Sequence, residues 1–308
     1  MEKLAENTIY QFYNELPNKI TPLGGGFYGR VFLAEIKSLP HKIVAKIYLY
    51  PNMAKKEALQ LEILNKYSLA KIPTVYHVIE GNKRIKNDVL LMEYIEGVNA
   101  GSNDLVLTEE NRINISNNII DNLIAFHKIK NPNGFGEIGS NKYEMNWNIY
   151  YKEKSKQIIC KAKKLNTNEK LDNNVYEIMD KAFKNYDKIF YLPIVDARLI
   201  HGDYNTWNIM LNKKLTNVKA IIDPYNCSWA DSELDLYQLN NANGRYYGLF
   251  DLYKSKFALS ENYEIKMIFY ELYTEIMHYF DANIDIIKMD DLIQKANDLE
   301  YQMQIIGI

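Results

Sequence analysis

The sequence predicts an α+β fold in two lobes, a small β-rich N-terminal lobe and a larger, mostly helical C-terminal lobe. Three observations predict it. A glycine-rich run from Gly24 to Gly29 sits between segments that alternate like strands. Beyond residue 97 the apolar spacing turns helical and stays so almost to the end. One polar stretch, His201 to Asn208, interrupts the helices and precedes a short apolar run that ends in Asp223. The expected organisation is an N-lobe over 1–92, a connecting segment over 93–97 and a C-lobe over 98–308.

The elements follow in order. A helix opens the chain. Next comes Leu23 to Ala34, which fits G-x-G-x-x-G-x-V at Gly24, Gly26, Gly29 and Val31 and includes Gly25 and Phe27. Val31 to Ile36 alternates as a strand, whereas a dinucleotide fingerprint needs a helix opening on the glycines. A glycine hairpin folded over phosphates fits better, because missing Cβ atoms let backbone N–H groups approach the oxygens. Lys42 to Leu49 is a second strand with Lys46 at its centre. A lysine inside an apolar strand needs a partner or a task. It either snorkels from a half-exposed strand or, given the glycines upstream, contacts the α- and β-phosphates of a nucleotide. Met53 to Tyr67 reads as a helix with Ala58, Leu61 and Leu64 on one stripe. Glu57 and Glu62 are its candidates for orienting Lys46. Glu57 is preferred, because it leads the face that must pack on the sheet. Strands over Thr74–Glu80 and Asp88–Met92 flank a polar turn at Gly81 to Asn87, and Glu93 to Gly97 is a short link.

In the C-lobe, Thr108 with Glu109 and Glu110 marks a helix start, and Ile113, Ile119, Ile120, Leu123 and Ile124 form a face ending in Phe126-His127. Asn131-Pro132-Asn133-Gly134 breaks it. Helices are expected over 146–166 and 172–190, then a loop at Pro193. A short strand over Ala220–Ile222 follows, and further helices over about 233–257, 262–280 and 289–304.

His201-Gly202-Asp203 stands five residues before Asn208, and Ile221-Ile222-Asp223-Pro224 follows. Taken alone, the first string also reads as a loop of Asx turns. Phosphoryl transfer from ATP asks for such a set: one carboxylate to accept the proton of a hydroxyl, and an amide oxygen and a second carboxylate to hold Mg²⁺ against the phosphates. Asp203 is the candidate base. Asn208 and Asp223 are the candidate Mg²⁺ ligands, since both offer the hard oxygen that this ion prefers. His201 is expected to fix the loop by hydrogen bonding.

With these positions in order along the chain, the sequence resembles the protein-kinase-like superfamily of small-molecule kinases, which includes aminoglycoside phosphotransferases, choline kinases and fructosamine kinases. The resemblance rests on Gly24, Gly26, Gly29, Lys46, Glu57, Leu90 to Gly97, His201, Asp203, Asn208, Asp223 and Glu233 to Leu236. It implies a protein-kinase-like fold, ATP and Mg²⁺ as cofactors, and a small-molecule acceptor. Asp203, Lys46, Glu57 and His201 would be the catalytic set. Nucleotide would lie against Gly24, Gly25, Gly26, Gly29, Val31 and Lys46, with adenine on the backbone of Met92, Glu93, Tyr94 and Ile95. Gly202 stands where protein kinases commonly carry Arg, Asp223 is followed by Pro224-Tyr225 and not Phe-Gly, and no A-P-E follows. These departures argue against the alternative of a protein Ser/Thr kinase. Retention of Lys46, Asp203, Asn208 and Asp223 argues against a nucleotide-binding pseudokinase scaffold.

Phe135-Gly136, Asn146-Trp147 and Tyr150-Tyr151 look like fructosamine kinases. Those enzymes, however, place a tryptophan where this chain has Asn205, and Trp207 here precedes Asn208. Trp147, Tyr204, Trp207, Tyr225 and Trp229 are candidate substrate contacts, with buried packing as the alternative for the tryptophans. Ser232-x-x-Asp235 resembles a capping box, and in the superfamily an aspartate near here braces the catalytic loop. Asp231 and Glu233 are expected on the solvated surface, or else facing an amine.

Composition narrows the partners. With 37 basic and 39 acidic residues the net charge is −2, and no basic stripe marks a nucleic-acid surface. No apolar run reaches transmembrane length, and the start of the chain does not read as a signal peptide. Two distant cysteines, Cys160 and Cys227, are expected as free thiols in a reducing cytoplasm.

Overall fold

In the computed structural model two lobes meet along a cleft; all residues are described except Phe27, 82–85 and 282–286. Most of the polar turn expected over 81–87 therefore lies outside the described residues, as does Phe27 of the glycine run.

The N-lobe begins with α1 (Glu2–Tyr13) and continues into β1 (Lys19–Gly25), β2 (Gly29–Glu35) and β3 (Lys42–Tyr48). Then come α2 (Met53–Tyr67), β4 (Val75–Ile79) and β5 (Val89–Glu93). The strands form an antiparallel sheet in the order β1-β2-β3-β5-β4. The two-residue period of β3 assigns its faces. Ile43, Ala45 and Ile47 pack with Ala5 and Ile9 of α1, while Val44, Lys46 and Tyr48 turn to the cleft.

The C-lobe opens with β6 (Val98–Asn99) and α3 (Glu109–His127). The Thr108 side chain caps α3 by accepting from the Asn111 N–H at 3.2 Å. β7 (Gly136–Glu137) and α4 (Trp147–Thr167) follow, and Asn146 caps α4. The single helix expected over 172–190 is broken at Asn185 into α5 (Asn173–Lys184) and α6 (Tyr186–Ile189). After β8 (Arg198–Ile200) comes the loop from His201 to Asn208, then β9 (Ile209–Leu211), β10 (Val218–Ile221) and β11 (Ser228–Ala230). The helix expected over 233–257 is also divided. A tighter 3₁₀ stretch, Ser232–Asn240, precedes α7 (Gly244–Tyr247) and α8 (Leu249–Lys256). Left-handed backbone at Ala242 (φ 49°) and Gly248 (φ 63°) makes the breaks. α9 (Tyr263–Asp281) and α10 (Met289–Ile305) complete the chain.

Two hydrophobic clusters hold the C-lobe. One joins α4, α5, α9 and α10 around Trp147, Tyr151, Phe190 and Phe269. The other joins α3 and α8 to Leu61 and Leu64 of α2 and Leu90 of β5, so it continues into the N-lobe. Asn122 of α3 reinforces that junction, its Oδ1 accepting from the N–H groups of Leu69 and Ala70 at 2.8 and 2.9 Å. Among the described residues no helix is long and apolar enough to cross a membrane. Cys160 is exposed, Cys227 is buried, and both are free.

Candidate active site

A cleft of about 650 Å³ lies between the lobes, a usual size for a small-molecule site. Its upper wall carries Lys46. The Lys46 Nζ donates to Glu57 Oε2 at 2.7 Å and also pairs with Asp223 Oδ1. Burial alone would lower the Lys46 pKa; Asp223 and Glu57 outweigh it and keep the ammonium charged. Glu57 also accepts from the Tyr48 hydroxyl at 2.6 Å. Tyr48 is two residues from Lys46 on the same strand face, a spacing that could have identified it. Glu62 faces solvent and pairs with Lys66 at 3.2 Å, so the choice of Glu57 is the one the structure brings to Lys46.

Below, an antiparallel hairpin sets the polar groups. β9 and β10 pair with Ile209 opposite Ile221, and the Ile222 N–H donates to the Asn208 carbonyl at 2.9 Å. That register brings Asn208 and Asp223 to one end of the hairpin. The Asn208 Nδ2 is spent on Asp203, at 2.9 Å to Oδ2 and 2.8 Å to the carbonyl, which leaves the amide oxygen for a cation. Asp223 has a left-handed φ of 55° and a half-exposed side chain facing the cleft. No cluster of three or more His, Cys, Asp or Glu side chains fit for a metal exists among the described residues. Mg²⁺ beside a nucleotide does not require one, since one or two protein oxygens plus phosphates and waters suffice.

Asp203 itself accepts from Asn205 Nδ2 at 2.6 Å in addition to Asn208. Burial and the neighbouring Asp223 push its carboxyl up to about 7, against the opposing hydrogen bonds of Asn208 and Asn205. His201 is fully buried, accepts from the Asp203 N–H through Nδ1 at 3.3 Å, and has its pKa lowered by burial. It braces the loop as a neutral ring. Gly202, at φ 82°, is forced: a Cβ there would lie 1.9 Å from the Tyr225 carbonyl oxygen. No arginine fits at this position.

Asp235 ties the loop down. Its carboxylate accepts from the N–H groups of His201 and Gly202 at 2.8 and 2.7 Å. His127 reaches Asp235 Oδ2 at 3.3 Å and Tyr253 at 2.7 Å. His127 and Tyr253 were not singled out from the sequence; a histidine closing the apolar face of α3 was the available signal. The expected Ser232 capping box is not formed. Asp231 caps the 3₁₀ stretch by accepting from the Glu233 N–H at 3.1 Å, because Asp235 is committed to the loop. Nor are Asp231 and Glu233 on the solvated surface or facing a ligand. Both are buried on the Lys266 ammonium, at 2.9 and 2.7 Å.

The aromatic candidates separate. Trp147 is 1% exposed and donates from Nε1 to the Tyr270 hydroxyl at 2.8 Å, in the core. Tyr204 is fully buried and donates to the Ile119 carbonyl at 2.7 Å. Trp229 packs between the two C-lobe clusters. None of these three lines the cleft. Tyr225 does, and its ring stacks on Tyr28 of the glycine loop with centroids 4.7 Å apart, beside His278 of α9. Trp207 is half exposed and does not line the cleft either, although its neighbours Asn99 and Asn205 do. The glycine loop residues Gly24, Gly25, Gly26 and Gly29 line the same cleft, as do Val31 and the segment Met92 to Ile95.

Comparison with known proteins places this geometry. Over its whole length the chain superposes on aminoglycoside phosphotransferase APH(2'')-Ib in its ADP-bound form, with a TM-score of 0.67 and 16% identity, covering 100% of both chains. A protein from Haemophilus somnus assigned as a fructosamine-3-kinase gives a TM-score of 0.69 at 17% identity, covering 98% of this chain and 96% of that one. In sequence, the uncharacterized protein YcbJ of Escherichia coli is 22% identical over 237 residues, 77% of this chain and 78% of its own. The two structural likenesses establish the protein-kinase-like fold. Residues 19–247, which hold every element of the cleft named above except α9, match the model of the phosphotransferase enzyme family; the chain belongs to that family, within the protein-kinase-like superfamily of small-molecule kinases.

Proposed function

We propose that this phosphotransferase moves the γ-phosphoryl group of ATP, with Mg²⁺, to a hydroxyl of a small polar molecule. One observation carries the reading: the Lys46–Glu57 pair, Asp203 with Asn208, and Asp223 converge on a single cleft beneath a glycine loop. Val31, Val44, Met210 and Ile222, with the backbone of Met92 to Ile95, would hold the adenine, since all of them line the cleft. Lys46, steered by Glu57, meets the α- and β-phosphates. Asn208 and Asp223 would hold Mg²⁺, which when bound neutralises charge on the phosphates. Asp203 aims the acceptor hydroxyl. As the acceptor oxygen bonds to the γ-phosphorus, the bond to the β–γ bridging oxygen breaks, ADP leaves, and the hydroxyl proton passes to Asp203.

The test is incubation with ATP, Mg²⁺ and a panel of amino sugars, ketosamines, amino alcohols and neutral sugars. ADP should form in step with a phosphate ester of one acceptor, and Asp203→Asn should abolish that coupling. ADP formation that is unaffected by Asp203→Asn would place the chemistry elsewhere.

A further inference from the structure

The two lobes are fused at the back of the cleft, where Leu61 and Leu64 of α2 and Leu90 of β5 share a core with α3. They therefore cannot swing apart as rigid bodies without breaking that close-packed core. The glycine hairpin between β1 and β2 is the wall that can lift, and it is built to move as one piece. The Gly26 N–H donates to the Gly29 carbonyl at 3.2 Å, and Arg30 Nη1 donates to the carbonyls of Gly26 and Gly29, both at 2.9 Å. At its root the Tyr28 carbonyl accepts from the Leu49 N–H at 2.8 Å. From there the Tyr28 ring reaches across the cleft and stacks on Tyr225 of the C-lobe, centroids 4.7 Å apart and planes 14° from parallel. Rings in that contact leave no passage between them. His278 of α9 flanks both, 5.3 Å from Tyr225 and 6.1 Å from Tyr28, and all three rings line the cleft.

We propose that the Tyr28–Tyr225 stack is a latch on nucleotide exchange: it must open for a nucleotide to enter or leave, and it closes behind a bound one. This rests on the kinase reading above, since it takes the cleft to be the ATP site. Tyr225 has the footing that a latch needs. Pro224, with its fixed φ, ties it to Asp223. Its carbonyl oxygen would lie 1.9 Å from a Cβ at Gly202, so its backbone is packed on the loop that carries Asp203. The C-lobe half of the stack is thus held still, and the moving half belongs to the hairpin. One aromatic pair has a suitable strength: enough to keep the hairpin down most of the time, and little enough to open in every catalytic cycle. The same barrier then stands in the way of entry and of exit. Tyr28 and Tyr225 are positioning residues in this role, and neither takes part in the transfer itself.

The full-length protein is mixed with a fluorescent N-methylanthraniloyl derivative of ATP and Mg²⁺ in a stopped-flow instrument, and association and dissociation rates are read separately. Tyr28→Ala and Tyr225→Ala should each raise both rates about three- to tenfold, the worth of one aromatic pair. Kd should stay within about twofold, because a barrier common to entry and exit cancels from the equilibrium. The double variant should be no faster than either single one, since both remove the same contact. Tyr28→Phe and Tyr225→Phe keep the stack and should follow wild type. Without nucleotide, hydrogen exchange over the glycine hairpin should quicken in the alanine variants alone. The two tyrosines stand on different lobes, so local damage at one does not mimic loss of the other. Faster dissociation with unchanged association would mean that the rings touch the nucleotide and do not gate it, which overturns the latch. Unchanged rates, or additive effects in the double variant, overturn it too. If the wild type binds no ATP, the kinase reading falls and the latch falls with it; ATP binding at rates that the alanine variants leave unchanged sinks the latch alone.

Discussion

Asp203 shows how much of the chemistry rests on single side chains. It is buried beside Asp223, and both facts favour its protonated form, while Asn205 and Asn208 favour its charged form. A base must be ionised to accept a proton, so activity should fall as the pH drops through the Asp203 pKa, near 7 in the free protein. Cationic charge held at Asp223 removes one of the two main causes of the rise. The acid limb measured with saturating ATP and Mg²⁺ should then lie below pH 7. A limb well above 7 under those conditions would mean another group is titrating. Asp203→Asn should cut kcat by about 10²–10⁴-fold, the range for a general base, with nucleotide affinity unchanged in a direct binding assay. Much at this scale was legible in the sequence. The residues singled out by motif spacing come together in the fold: Lys46, Glu57, Asp203 and Asp223 line one cleft, and Asn208 bonds to Asp203. The fates of Trp147, Tyr204 and Trp229 were not legible, because position near a motif says nothing about which way a ring turns. Asp231 and Glu233 misled for a related reason. Their buried partner Lys266 lies more than 30 residues away, and no local pattern announces a long-range ion pair.

At the scale of elements, the β9–β10 hairpin does what no single residue can: its register turns two sequence-distant oxygen donors into neighbours. Long amphipathic helices such as α3 and α9 were readable from periodicity. The three-residue strands β8, β9 and β11 were not, because a run that short carries no period. Helix breaks at Asn185 and Ala242 were missed because neither residue is a glycine or proline, whereas the break at Gly248 had a glycine to mark it and was passed over. One testable consequence belongs to the packing of α9 on α10. Glu275 is pushed up to about 7 by burial, against the attraction of Lys295 at 3.4 Å and with the added repulsion of Glu271 and Asp291. A carboxyl whose folded pKa exceeds its unfolded value stabilises the fold fully below the unfolded pKa, and that contribution is lost as the pH rises through about 7. Glu275→Gln should therefore raise the melting temperature relative to wild type at pH 8, and the gain should shrink or reverse at pH 5. Equal shifts at both pH values would show that Glu275 does not titrate in this way.

For the whole molecule, the walls of the cleft come from both lobes, so a nucleotide there should bind them together. ATP with Mg²⁺ should raise the melting temperature, since a ligand at a hundredfold excess over its Kd adds about 2.7 kcal/mol to the folded state. Asp223→Ala should erase the Mg²⁺-dependent part of that shift; a shift that survives intact would remove Asp223 from the metal site. The continuous core through α2 has a separate consequence. Leu61 and Leu64 are packed into the same cluster as Ile119, Ile120 and Leu123, and Asn122 clasps the loop behind the helix. Glu57 is thereby presented to Lys46 by the folding of the chain itself. The Lys46–Glu57 pair is thus already assembled in the unmodified, ligand-free chain, with the helix that carries it anchored in the core of the other lobe.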